Sequence, residues 1–216
     1  MFKWLVLILP VVLYGNLFKE RLLNAQVGDY VVTEYQEVLS MLRVHSVKGD
    51  LVTLEEVNVP WHQMRGKSNF KGWLQNGAKG QTSWIRYTLD LKENKMVECF
   101  SPTRDAYLDT SDSLITELLS LKMTRIADHD RKRVGPPPLD GQDTRSFWTP
   151  MITREGVRKK PVSVEVWQTK LPIGDTPLSG KIIDLYFEES LPFPYWIQIH
   201  DGALRMRMID SGTSSL

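Results

Sequence analysis

The stretch KIIDLYFEESLPFPYWIQIHDGALRMRMID, residues 181–210, decides the fold of this chain. From Lys181 to Glu188 the apolar residues recur with a period of two, which predicts a half-buried strand. The alternation resumes at Tyr195 and continues to Asp210 beyond the sequence Asp201-Gly202. Asp-Gly between two alternating runs predicts a hairpin, because glycine tolerates the positive φ of a tight turn. The stretch therefore predicts neighbouring antiparallel strands.

The same alternation recurs along most of the chain. It covers residues 30–35, 38–46, 51–59, 83–91, 96–100 and 161–169. One helix is predicted over residues 112–126, where Leu114, Leu118 and Ile126 fall on one face behind several N-cap residues. The fold class predicted is mainly β (α+β): a curved antiparallel sheet or half-barrel of about eight or nine strands with one main helix packed against it.

The N-terminal segment has the features of a secretory signal peptide. Lys3 precedes the apolar run Trp4–Tyr14, which is shorter than the roughly 20 residues that a spanning helix needs. We predict a signal peptide over residues 1–25, with an uncleaved N-terminal anchor as the alternative. Neither Ala25 nor Gly15 has the small residue two positions earlier that a good cleavage site shows. Export to a periplasmic or extracellular location is the prediction, with membrane contact only through this segment.

Composition excludes several classes of protein. The 216 residues carry a formal charge of +1, so no sustained basic field is available for nucleic acid. The lone Cys99 can form neither an internal disulfide nor a zinc cage, and it is predicted to be a small core residue on a strand. Length and pattern predict a single β-rich domain over residues 26–210.

Three segments interrupt the β pattern. Residues 60–81 carry four glycines with Trp61, Phe70 and Trp73, which favours either a functional loop or lid, or a surface loop held in place by its aromatic residues. Residues 135–150 begin with Gly-Pro-Pro-Pro and predict a stiff strap packed over the sheet. Residues 211–216 are predicted to be a polar, fraying tail.

The order of strands, helix, strap and strands over residues 27–210 resembles the exported lipoprotein-carrier proteins of the LolA/LolB type and related envelope proteins. In that family an open β half-barrel covered by helices holds an acyl chain. The resemblance implies an exported carrier of an amphiphile. This chain departs from the family in showing one clear helix, and no functional residue is carried over.

Aromatic and cationic residues share the less apolar side of the predicted strands. Rings can take the apolar part of an amphiphile while guanidinium groups take its anionic head. The alternative is that the rings pack under the helix and strap while the arginine stems extend past them. The candidate ligand-binding residues are Trp84, Arg86, Trp167, Tyr186, Trp196, Arg205 and Arg207.

No catalytic constellation stands out in the sequence. His45, His62, His129 and His200 are scattered and do not match a triad or an acid/base pair. Asp128-His129-Asp130 lies in a charge run typical of a solvated helix end rather than a metal site. We therefore predict no catalytic residue, metal or cofactor. The function predicted is an envelope binding or carrier module for an amphiphilic or lipid-like ligand; the alternatives are a protein-interaction component of the envelope, which would dock an envelope protein partner, and an uncharacterised enzyme.

Overall fold

The computed structural model describes residues 17–64, 69–109, 114–161, 163–174, 179–200 and 205–214. These residues form thirteen strands and four helices. The helices are α1 (Leu17–Leu23), α2 (Trp61–Met64), α3 (Phe70–Gln75) and α4 (Leu114–Ser120). The strands are β1 (Asp29–Tyr35), β2 (Val38–Lys48), β3 (Leu51–Pro60), β4 (Ser83–Asp90), β5 (Lys95–Ser101), β6 (Ala106–Tyr107), β7 (Thr124–Arg125), β8 (Ile152–Arg154), β9 (Val157–Lys159), β10 (Val164–Lys170), β11 (Ile182–Glu188), β12 (Trp196–Ile199) and β13 (Arg205–Thr213). The mainly β prediction is confirmed.

Eleven strands form one antiparallel sheet, and β8 and β9 form a separate two-stranded ribbon. The strand order in the large sheet is β6-β5-β4-β3-β2-β1-β13-β12-β11-β10-β7. The N-terminal strands make one meander, the C-terminal strands make another, and the β1–β13 pair joins them. Every strand predicted from alternation is present, and β4 and β5 form the predicted hairpin.

Apolar cores lie on both faces of the sheet. In β1, Val31 belongs to one buried cluster while Tyr30 and Val32 belong to another, because successive strand residues point to opposite faces. The first cluster contains buried residues of α1 and α4, and the second contains those of α2 and α3. Cys99 of β5 is a buried free thiol in the first cluster, as the sequence predicts.

The predicted helix 112–126 is shorter in the structure. Its start lies outside the described residues, α4 ends at Ser120, and Thr124-Arg125 forms β7 instead. β7 pairs with Trp167 and Gln168, and the Ile126 amide donates to the Val166 carbonyl. The edge of β10 thus offers backbone partners that continuing the helix would leave unused.

Helix α1 lies within the segment predicted as a signal peptide, yet it packs into the fold. Phe18 and Leu22 are buried in the first cluster. The Arg21 guanidinium donates to the carbonyls of Glu188 and Leu191 and lies 4.8 Å from the ring centre of Phe187. Residues 1–16 lie outside the described part of the chain. Among the described helices, none is long and apolar enough to cross a membrane.

The segment 60–81 is held to the sheet by aromatic residues where the structure describes it. Phe70, Trp73 and Leu74 of α3 are buried in the second cluster, and the Trp73 indole donates to the Lys79 carbonyl at 3.0 Å. Trp61 stays more exposed. For Phe70 and Trp73 the structure therefore agrees with a loop held in place by its aromatic residues.

The prediction of a fraying tail over residues 211–216 is wrong for residues 211–214, which the structure describes. β13 runs on to Thr213, where it pairs with Asp29, and the Ser214 amide donates to the Gly28 carbonyl at 2.7 Å. Ser211 and Ser214 are fully buried. β1 pairs with β2 along one edge, and β13 supplies the backbone partners along its other edge. These backbone hydrogen bonds outweigh the polar composition of the segment.

Candidate functional site

Three charged residues lie side by side across β2, β3 and β4. Arg43 pairs with Glu55, and Glu55 pairs in turn with Arg86. Directly opposed residues of an antiparallel sheet project from the same face. The three side chains therefore form a row on the face that carries the second apolar cluster.

Glu55 is the centre of this row. One of its carboxylate oxygens accepts hydrogen bonds from Arg86 Nε at 2.8 Å and from Trp84 Nε1 at 2.9 Å. The other oxygen lies 3.0 Å from Arg43 Nη2. The Glu55 side chain is 1% exposed and that of Arg43 is 4% exposed. The opposite charges and the donors of Arg86 and Trp84 replace part of the lost water, while Arg43 Nε and Glu55 Oε2 have no hydrogen-bond partner among the described residues.

The ionisation of the pair follows from these contacts. Burial by itself raises the pKa of Glu55, but the hydrogen bonds from Arg86 and Trp84 and the charge of Arg43 outweigh it, so the pKa of Glu55 lies below its ordinary value. Burial lowers the pKa of Arg43, and Glu55 opposes that effect. Two guanidinium groups share one carboxylate, which leaves the row with a surplus positive charge.

His45 extends the row towards solvent. Arg43 Nη2 donates to His45 Nδ1 at 3.2 Å; a guanidinium has only donors, so Nδ1 is the acceptor and the neutral ring carries its proton on Nε2. Burial, followed by the charge of Arg86, lowers the pKa of His45. The imidazole is thus a neutral donor at neutral pH.

A groove of about 400 Å³ adjoins the row on the same face. Phe100 and Tyr107 form its apolar wall, with ring centres 5.2 Å apart, and Tyr107 is 73% exposed. Lys48, Arg86 and His45 supply cationic or donor groups to the same groove, and Arg86 is the direct cross-strand neighbour of Phe100. Its full lining is His45, Ser46, Lys48, Leu51, Thr53, Arg86, Thr88, Glu98, Phe100 and Tyr107. The groove therefore combines an aromatic wall with a lining that is otherwise mostly polar and charged.

A pocket of about 490 Å³ beside α1 is larger but less suited to binding. Arg21, Arg154 and Asp29 in its lining already have partners inside the protein. Arg21 donates to Glu188 and Leu191, Arg154 Nη1 donates to Ser190 Oγ at 2.7 Å, and Asp29 accepts from Gln26 and Thr213. A ligand there would have to displace existing hydrogen bonds.

The structure separates the seven residues proposed from the sequence. Trp84 and Arg86 meet at Glu55. Tyr186 and Trp196 oppose each other on β11 and β12, and both are covered by Trp148 of the strap, with ring centres 5.7 and 5.9 Å away. These two rings therefore have the packing partner expected if the strap covers the sheet.

Trp167, Arg205 and Arg207 complete the set. Trp167 pairs with Leu185 on β11, so it projects from the face opposite to Tyr186, and its indole donates to Glu165 at 3.3 Å. Arg205 and Arg207 oppose Gln198 and Trp196 along β13, while their side chains lie outside the described part of the structure.

Sequence reasoning missed Arg43, Glu55, His45, Phe100 and Tyr107. One signal was present, because Glu55 replaces an apolar residue in the alternating series Glu55, Val57, Val59 of β3. A charge at an inward position requires a buried partner. Its partners lie on other strands, so only the register identifies them.

Within the part of the chain described, no group of three or more His, Cys, Asp or Glu side chains is arranged to hold a metal ion. Tyr30 donates to the buried Asp210 at 3.1 Å, and the Gly156 amide donates to the same carboxylate at 3.0 Å. These bonds tie the β8–β9 ribbon to the sheet.

The chain is similar to known proteins in two comparisons. A family model described as CT021 protein matches residues 40–160, which include the row and the groove. The solved structure of the hypothetical protein CT021 from Chlamydia trachomatis is similar with a TM-score of 0.65 and 18% identity, over 92% of this chain and 93% of that one. No curated protein matches. At that identity the structural likeness shows the fold alone.

Proposed function

For this chain, which belongs to the CT021 protein family, we propose a non-catalytic binding function in which the groove beside Arg86 holds the anionic head of an amphiphilic or lipid-like ligand. The observation that carries the proposal is the row Arg43–Glu55–Arg86. It places two guanidinium groups against one carboxylate, and Arg86 of the row lines the open groove. A second anion would balance the surplus charge.

Arg86 belongs to the row and also lines the groove, where it would contact the ligand. Its Nε is held by Glu55, and within the described residues no acceptor engages its terminal Nη groups. Glu55 therefore fixes the plane of the guanidinium while the two outer nitrogens stay free to bind a carboxylate or phosphate as a fork. Its side chain is 34% exposed, which leaves it accessible from the groove.

The remaining groove residues fit the other parts of such a ligand. Lys48 and the neutral His45 add donors for the head group, and Thr53 and Thr88 add hydroxyls that lie 3.1 Å apart. Phe100 and Tyr107 offer aromatic surface for the start of an alkyl chain. The carboxylate of Glu98 also lines the groove, and it would repel a ligand that carries several negative charges.

Matched detergents test this proposal. We expect dodecyl phosphate to raise the melting temperature of the purified full chain more than dodecyl maltoside or dodecyltrimethylammonium. Arg86→Gln should weaken dodecyl phosphate binding about tenfold, because a charge-assisted hydrogen bond is lost. Arg158→Gln, on the exposed β9, is the control. Equal binding of all three detergents, or no effect of Arg86→Gln, would reject the groove as the site.

Export is part of the same proposal. The apolar run before Leu17 supports an envelope location, and a carrier of amphiphiles has its ligands there. Because α1 packs into the first cluster, cleavage at Ala25 would remove core side chains, whereas cleavage at Gly15 or retention of the segment as an anchor would keep them. The intact mass of protein purified from its own cells distinguishes these forms.

A protein-interaction role is the second candidate function. The observation that favours it is the exposed proline run of the strap, which lies apart from the groove.

A further inference from the structure

We propose that residues 135–139 of the strap, the sequence Gly-Pro-Pro-Pro-Leu, are a docking peptide for a protein domain with an aromatic-lined groove that binds polyproline II segments. The site is independent of the amphiphile groove, because none of these residues lines it.

The proline run is presented to solvent. Residues 134–142 are all exposed, and Leu139 is 101% exposed, the highest value among the large apolar side chains of the described chain. An apolar side chain so fully exposed gains nothing for the stability of the isolated fold. Its burial in a partner would remove that surface from water.

The conformation of the run is restricted before any partner binds. Each proline fixes its own φ, and Pro136 and Pro137 are also kept out of the helical region by the prolines that follow them. The run therefore favours a polyproline II helix, whose carbonyls have no internal partner. Trp N–H and Tyr O–H groups in an aromatic groove can donate to those carbonyls, and the entropy lost on binding is small.

The ends of the loop are tied together at its base. Arg133 and Phe147 form an antiparallel bridge, and the Val134 amide donates to the Ser146 carbonyl at 2.9 Å. Arg133 Nη1 donates to the Arg145 carbonyl at 2.6 Å, and Arg145 Nη1 donates to the Gly135 carbonyl. The prolines thus project from a fixed base rather than from a flexible linker.

Charged side chains at the base have partners within the strap. Asp143 accepts from Arg145 Nε and Nη2 at 2.9 and 2.8 Å, and Arg133 lies 3.5 Å from the same carboxylate. Arg131 and Arg133 also lie 4.1 and 4.5 Å from the ring centre of Phe147. Since these charges are engaged, we expect recognition to depend on the prolines and Leu139, beside the exposed Asp140, and the partner surface to be aromatic rather than acidic.

A site-specific photocrosslinker tests the proposal in the full chain. Benzoylphenylalanine is placed at Leu139 and, as a matched control, at Ile173, which is 89% exposed on another loop. The chain is expressed in its own cells and irradiated. We expect position 139, and not position 173, to capture one protein species. That capture should disappear when Pro136, Pro137 and Pro138 are all changed to Ala, with the melting temperature unchanged.

The captured species must then meet the stated chemistry. Purified, it should bind the full chain with an affinity that falls about tenfold or more with the triple Ala change or with Leu139→Asp, and its structure should show an aromatic-lined groove. Three results would overturn the proposal: equal capture from position 173, capture that survives the triple change, or an adduct whose mass is twice that of this chain. Absence of any protein adduct at position 139 would overturn it as well.

Discussion

Arg43 and Glu55 face each other on neighbouring strands, with 3.0 Å between Nη2 and Oε2 and almost no solvent contact on either side chain. A buried pair of this kind adds little over an apolar pair, but the loss of one partner leaves an uncompensated buried charge. The pair thus supports the groove indirectly, because Glu55 also holds Arg86, which lines it.

Removal of the carboxylate charge should destabilise the fold strongly. Glu55→Gln leaves Arg43 and Arg86 facing each other without a counter-charge, and we expect a loss of about 3–5 kcal/mol in the free energy of unfolding. Urea denaturation measures it. Glu93→Gln in the exposed β4–β5 turn is the control and should change stability by less than about 0.5 kcal/mol. Equal effects of the two changes would contradict a structural role for the row.

His45 should make stability depend on pH. Its pKa is lowered in the folded state, so below about pH 6.5, the ordinary value, the unfolded chain takes up a proton at this position that the folded chain does not. Stability should therefore fall as the pH is lowered from 7.5 to 5.5, by at most about 1.4 kcal/mol per pH unit from this group. His45→Gln should make the urea midpoint depend less on pH over this range. His129→Gln, in the exposed loop before the strap, should leave that pH dependence unchanged.

Trp148 should stabilise the C-terminal half of the sheet. Its ring contacts Tyr186 and Trp196 edge-on, and Trp148→Ala would open a gap above both. Because Trp148 is only partly buried, we expect a loss of about 2–4 kcal/mol, below the upper range for a buried tryptophan. Trp61→Ala, at a more exposed ring, should lose less than half as much. Equal losses would show that the strap does not hold this face.

Helix α1 should behave as part of the domain rather than as a removable leader. Leu22→Ala empties a fully buried position and should lower the free energy of unfolding by about 2–5 kcal/mol. The adjacent Leu23, 37% exposed, is a matched control whose change to Ala should have little effect. A chain starting at Gln26 that unfolds with the same urea midpoint as one starting at Asn16 would refute this role.

Local pattern was sufficient for the strands. Period-two alternation depends only on which residues face the core, so it located each of the longer strands, the β4–β5 hairpin and the burial of Cys99. The strap was also predictable from local sequence, because consecutive prolines constrain the backbone wherever they occur.

Boundaries that depend on distant partners were not predictable in this way. Residues after Ser120 have an apolar helical pattern, yet Thr124-Arg125 pairs with the β10 edge. Ser211 looks like part of a polar tail, yet its strand completes the pairing of β1. In both places a backbone hydrogen-bond partner far away in sequence outweighs local propensity.

The sequence by itself determined the fold class and the positions of the longer strands. Only the tertiary structure decided which side chains meet. A shift of one residue in register moves a side chain to the other face of the sheet. In the observed register Trp167 pairs with Leu185, so it lies on the face that does not carry Tyr186. The same register brings Arg43, Glu55 and Arg86 into one row, and no local pattern in three separate strands contains that information.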